Sequence, residues 1–148
     1  MKADPPGPRR DPGPIPTDMK AFNRALIEEF RANHGQLSGP MAGRSLMILT
    51  TTGARTGQPR TVVLGYGKRG DRYVVIASAN AAPSDPAWYR NLQAHPIATV
   101  EVGAERFEAR ASTADSGERD QLAAAVPWLE SQQKLTSRRI PIVVLNRA

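Results

Sequence analysis

TTTGARTGQPRTVVLGYGK, residues 50–68, is the stretch on which the fold turns. A β-branched run enters a turn bounded by Gly53 and Gly57, and an alternating run leaves it. In that second run Val62, Leu64 and Tyr66 share one face, and Thr61, Val63 and Gly65 share the other. Period two around a glycine turn is the mark of an antiparallel hairpin. Gly65 and Gly67 weaken such a strand unless it bends there or something approaches its backbone closely. A hairpin needs only turn formers, yet this one adds Arg55, Arg60 and the hydroxyls of Thr50, Thr52 and Thr56. Glycine-turn amides and guanidinium forks together suit phosphate or carboxylate oxygens. An exposed turn with ordinary surface arginines accounts for the same residues.

Outward from the hairpin, 45–52, 60–68 and 71–78 read as three strands, the 60–68 run being the one just described. Upstream, Met19, Phe22, Leu26 and Phe30 recur at three- and four-residue steps after Thr17 or Asp18 as N-cap. They form one stripe of a helix that stops at Gly35. Residues 1–16 hold six prolines and few apolar groups, and read as an unstructured arm. Downstream, Asp85 and Pro86 are a matched start for a short helix that ends before Pro96. On it Trp88 and Leu92 face the core, with Tyr89, Arg90 and Asn91 turned toward another surface. Strands at 97–102 and 105–111 follow, joined by a Gly-first turn at Gly103-Ala104. Their small apolar rows face inward and their charged rows, including Glu101 and Glu108, face water. A helix from Ser116 to Ala125, an irregular stretch and a last strand in IPIVVLNR complete the chain. Short connections favour antiparallel pairing over a βαβ sheet. The expected architecture is a mainly β, closed or split barrel with helices outside, one domain over residues 17–148.

Composition narrows the chemistry. The chain has 148 residues, enough for one domain burying about 70% of its unfolded surface. It has no cysteine, which excludes disulfides, thiolate metal sites and a cysteine nucleophile. No leader-like or membrane-spanning apolar run occurs, so a soluble cytoplasmic protein is expected. The net charge of +6 is unevenly spread. Residues 53–72 carry five cations against Asp71, and 134–148 carry four and no acid, whereas 101–120 are acidic. Anionic ligands or surfaces are favoured near the basic segments. A phosphate-binding loop ending in Gly-Lys-Ser/Thr is absent, as is a dinucleotide glycine fingerprint. His34 and His95 have no partner at metal or triad spacing, and no base stands ready to activate a serine. The hairpin and SDPAWYRNL together describe a groove with an anion-binding end and an aromatic end, suited to a large phosphorylated aromatic cofactor.

LTTTGARTGQPRTV, DRYVVIASANAAPSDPAWYRNLQAHP and RRIPIVVL closely resemble the deazaflavin-dependent nitroreductase family, over about residues 45–148. The resemblance implies a split β-barrel of the FMN-binding-like class with antiparallel Greek-key strands. It also implies coenzyme F420 and hydride transfer to a quinone, enone or nitroaromatic. By the same resemblance Ala54, Arg55 and Thr56 hold the cofactor's phosphate and oligoglutamate tail. The strand Arg60, Thr61, Val62, Val63, Leu64 and Gly65 lies along the cofactor, which would make Gly65 a close-approach residue. Ile76, Ala77, Ser78 and Ala79 lie beside the deazaflavin ring, with Ser78 the candidate catalytic hydroxyl. Ala87, Trp88, Tyr89, Arg90 and Asn91 close the site. Ala54 stands where relatives often carry a base. Val126, Leu129 and Gln132 stand where some carry tyrosines over the substrate, so Trp128, Leu129 and Gln132 become the acceptor residues and quinone or alkene reduction is favoured over nitroimidazole activation. No metal is implied.

The alternatives are a split barrel using FMN or haem, a deazaflavin carrier without turnover, and a non-catalytic basic module for nucleic acid or an anionic surface. Only eight aromatic residues, with Phe22, Phe30 and Phe107 on faces expected to be buried, make a poor stacking platform for bases. The partner expected is a small electrophile, with peripheral membrane contact permitted by the basic arm and tail.

Overall fold

The computed structural model describes residues 19–37, 43, 45–79 and 81–148, without the side chains of residues 19–22. The arm 1–16, the cap at Thr17 or Asp18 and the side chain of Phe22 lie outside that description. A helix α1 (Met19–Ala32) leads into β1 (Leu46–Thr52), β2 (Pro59–Gly65), β3 (Gly67–Arg69) and β4 (Arg72–Ile76). Then come α2 (Ala87–Ala94), β5 (Ile97–Val102), β6 (Glu105–Thr113), α3 (Ser116–Ala123), α4 (Leu129–Gln133) and β7 (Ile142–Arg147). All pairings are antiparallel, in the order β2-β1-β5-β6-β7-β4-β3. The connection bearing α2 crosses from β4 to β5 beside β1, so the sheet curls into a mainly β half-barrel with helices at its flanks.

The two ends of this sheet, β2 and β3, are consecutive in the chain. The expected single strand over 60–68 is interrupted at Tyr66, whose N–H bonds to the Ser45 carbonyl at 3.1 Å. Its first half pairs with β1 and its second half with β4. The bend needs Gly67, where a Cβ would fall 1.8 Å from the Ala125 carbonyl oxygen. At Gly65 a Cβ would meet nothing nearer than 3.9 Å.

Alternation sorts two cores. Tyr73, Val75, Val143 and Leu145 point into the barrel with Met47, Leu49, Ala98, Val100 and Ala109. Val74, Ile76, Ile142 and Val144 point the other way, against Leu122, Val126, Leu129 and Ile140. β4 and β7 are thus covered on both faces, which their unbroken β-branched runs require. β6 runs to Thr113 rather than 111, because beyond Arg110 it keeps pairing with β7 after β5 has ended. β7 starts at Ile142 rather than Ile140, since Pro141 has no N–H, although its carbonyl still accepts from Ala77 at 3.0 Å. The stretch expected to be irregular contains α4, a helix of five residues, too short to show periodicity.

Glu101 corrects the water-facing reading of β5. It is 7% exposed, beneath α1, and takes both Arg31 Nε (2.8 Å) and Nη2 (2.7 Å). The Arg31 hydrogen bond holds the Glu101 carboxyl below its ordinary pKa, against the opposing effect of burial. Sequence separation of 70 residues hid this pair.

Candidate functional site

The β1–β2 turn is tied off internally. Gly53 N donates to the Gln58 carbonyl (2.8 Å) and Gly57 N to the Gly53 carbonyl (2.9 Å). Gln58 N donates to Thr56 Oγ1 (3.1 Å), and Ala54 N to Asn91 Oδ1 (3.0 Å). Of the turn amides around Gly53 and Gly57, expected to face an anion, those of Gly53, Gly57 and Gln58 are therefore spent within the turn and that of Ala54 on Asn91. Thr50 shares a hydrogen bond with Thr61 at 3.1 Å, and Thr50 and Thr52 line a different cleft, beside His95. Of the three hydroxyls expected to converge, only Thr56 remains. Asn91, 7% exposed, also donates Nδ2 to Thr51 Oγ1 (3.1 Å), which reaches the Arg60 carbonyl (3.4 Å). Asn91 acts as a latch from α2 to the hairpin.

Against this braced turn opens a cavity of about 710 Å³. Its walls are Gly53, Ala54, Arg55 and Thr56 of the turn, Arg60, Thr61 and Val62 of β2, and Ala87, Trp88, Arg90 and Asn91 of α2. Among the described residues three guanidinium groups line it and no acid does. Of these, Arg55 and Arg60 form no ion pair among the described residues. Among the described residues Arg90 bonds the Asp85 backbone carbonyl and forms no ion pair, so its charge is not neutralised there.

Further along β2 a second cavity, of about 610 Å³, carries no formal charge. It is lined by Ser45, Leu46, Val63, Leu64, Gly65, Tyr66, Ile76, Ser78, Trp128 and Gln132. Burial, then the neighbouring Tyr73, pushes the Tyr66 phenol above its ordinary pKa, so it keeps its proton at neutral pH. Gln132 Oε1 is buried with no hydrogen-bond partner among the described residues. Such atoms are rare in folded proteins and point to a missing donor. Trp128 stands 38% exposed at this cavity.

Four expected site residues reach neither cavity. Tyr89, expected to face away from the core, is 6% exposed within it, its hydroxyl 2.7 Å from Thr113 Oγ1. Leu129 packs into the second core instead of joining Trp128 and Gln132. Ala77 is fully buried, and Ala79 lies in the following loop with φ 49°. Asp85 was expected to cap α2; the cap residue is Pro86, without a side-chain bond, and the Asp85 carboxylate instead meets Arg138. Tyr66 and Arg138 went unnoticed as contributors. The alternation put Tyr66 on one face with Val62 and Leu64 without saying what that face meets, and nothing local signals the Arg138 contact 53 residues away.

The model of the F420H(2)-dependent quinone reductase family matches residues 22–147. The chain belongs to that family. An F420H(2)-dependent quinone reductase of Mycobacterium tuberculosis (strain ATCC 25618 / H37Rv) is 36% identical over 129 residues, 80% of this chain and 85% of the relative. The solved F420-H2 dependent reductase FDR-A superimposes with a TM-score of 0.62 at 30% identity, covering 70% of this chain and 95% of that one. A chain solved as a domain-swapped dimer gives 0.65 at 27% identity, over 87% and 100%. Membership makes this chain an F420H2-dependent oxidoreductase on a split-barrel fold, as the resemblance implied. No helix among the described residues is long and apolar enough to cross a membrane.

Proposed function

We propose that the protein reduces a quinone, with the cofactor's anionic tail in the first cavity and its ring in the second beside the acceptor. The observation that carries this is the change of character along β2, from three arginines without an acid to a wall without formal charge. A phosphodiester with several carboxylates fits the first; a flat, uncharged heterocycle fits the second. Gly65 fits as well, because a Cβ there would clash with nothing inside the fold, so no internal contact demands a glycine.

When bound, reduced F420 supplies the hydride, and with one proton a quinone becomes its hydroquinone. The protein's own part is placement. Arg55, Arg60 and Arg90 supply charge for the tail, and Asn91 keeps the Arg55 turn against α2. Ser78 and the protonated Tyr66 offer O–H donors to an acceptor oxygen. Gln132 lines the same wall, and Trp128 covers apolar surface. Peripheral membrane contact from the cytoplasmic side belongs to the same reading, since quinones with apolar tails are met at lipid surfaces.

Oxidation of reduced F420 by menadione, followed by the return of F420 absorbance, tests the activity. Turnover abolished in Ser78→Ala together with Trp128→Ala, while F420 still binds, is expected. Unchanged turnover in that double variant would remove the second cavity from the reaction.

A further inference from the structure

Arg138 lies between α4 and β7 and lines neither cavity along β2. Its guanidinium is spent on one loop, residues 77–85. Nε donates to the Ala82 carbonyl (3.1 Å), Nη1 to the Ala77 carbonyl (3.2 Å) and to Asp85 Oδ1 (2.5 Å). Nη2 donates to the carbonyls of Ala77 (3.2 Å) and Ser78 (2.9 Å). The side chain is only 15% exposed. A guanidinium is a rigid planar fork, so carbonyls and a carboxylate bound to it are fixed relative to one another.

That loop joins the two cavities. It leaves β4 after Ile76, passes Ser78 in the wall of the second, and reaches α2 at Ala87, in the wall of the first. Ala79 (φ 49°) and Ala81 (φ 63°) are both in the left-handed region, which non-glycine residues hold only where the surroundings dictate it. Arg138 is itself anchored. Its N–H donates to Thr136 Oγ1 (3.2 Å), and its carbonyl accepts from Gln133 Nε2 (2.6 Å).

We propose that Arg138 is a positioning residue for the cofactor, acting through Asp85 and the carbonyls of Ala77 and Ser78. It keeps the end of β4 and the start of α2 at the separation one ligand needs to span both cavities. This rests on the cofactor placement proposed above.

The test measures F420 affinity by fluorescence over a range of salt, with melting temperature, in wild type, Arg138→Met, Arg138→Lys, Asp85→Asn and Arg55→Ala. Loss of a positioning residue lowers affinity although that residue never touches the anion. Arg138→Met should therefore bind at least about tenfold more weakly, with the salt dependence of wild type. Arg138→Lys, a point charge without the fork, should recover part of the loss. Asp85→Asn should bind more weakly, and adding it to Arg138→Met should cost nothing further. If Arg138→Met does not fold, Asp85→Asn carries the test, and wild-type affinity there overturns the proposal. So does wild-type affinity in folded Arg138→Met, or a flattened salt dependence, which would put the guanidinium on the ligand itself. Wild-type affinity in Arg55→Ala would instead refute the cofactor placement; a loss there with none in Arg138→Met refutes the positioning role alone.

Discussion

The two cavities along β2 are close in size and opposite in character. One, at the turn end, has three arginines and a wall braced by Asn91. The other, at the bend, has a tyrosine, two serines, a tryptophan and an amide whose oxygen has no partner among the described residues. The two ends of β2 thus face opposite surroundings, a turn and helix bearing Arg55 and Arg90 beside the strand's own Arg60 at one end, and uncharged side chains at the other. The difference separates affinity from chemistry: the first region grips, and the second orients what is to react.

Gly67 and Gly65 give the widest contrast. Gly67→Ala drives a Cβ into the Ala125 carbonyl and should cost several kcal/mol, read as a large loss of melting temperature. Gly65→Ala, whose Cβ would reach only ordinary contact with Trp128 (3.9 Å) and Ser45 (4.0 Å), should leave stability within about 0.5–1 kcal/mol yet weaken F420 binding. Equal stability losses in the two variants would deny that Gly65 is spared for a ligand. The charge contrast comes next. Arg55→Ala with Arg60→Ala should cost about 1.5–3 kcal/mol of F420 binding per lost charged contact, tenfold or more each, without altering the fold. Trp128→Ala should raise the KM for menadione while F420 affinity holds. A variant that moved both together would merge the two regions into one.

Asn91→Ala removes the latch, leaving Ala54 N and Thr51 Oγ1 short of a partner. About 1–3 kcal/mol of stability should go with it, measurable by denaturant unfolding. The smallest effect lies outside both cavities. The folded-state pKa of Glu101 is lowered, so its contribution is present above the unfolded carboxyl pKa and fades as pH falls below it. With Arg31 half exposed, the pair contributes at most about 1 kcal/mol. Glu101→Gln should flatten the stability loss below the carboxylate range, and an unaltered acid limb would show that the pair contributes nothing.

Local pattern made the hairpin, the strand faces of β2, β5 and β6, and the glycine bend legible, because each follows from periodicity over a few residues. The cluster of cations was legible too. Partners distant in sequence were not. Glu101 reads as solvated until α1 lies over it, and Asp85 reads as a cap until Arg138 arrives from 53 residues away. Tyr89 sits beside Trp88, and one helix turn cannot say which of two adjacent rings is buried when both are. The turn amides looked free for an anion, since their internal acceptors depend on how the turn closes.

The decisive measurement is the salt dependence of F420 binding in wild type and in Arg55→Ala with Arg60→Ala, followed by the cofactor's fluorescence. Wild-type affinity should fall steeply as salt rises, and the double variant should bind weakly at low salt with a much flatter response. Matching curves for the two proteins would contradict the assignment of the cationic cavity to the cofactor's tail.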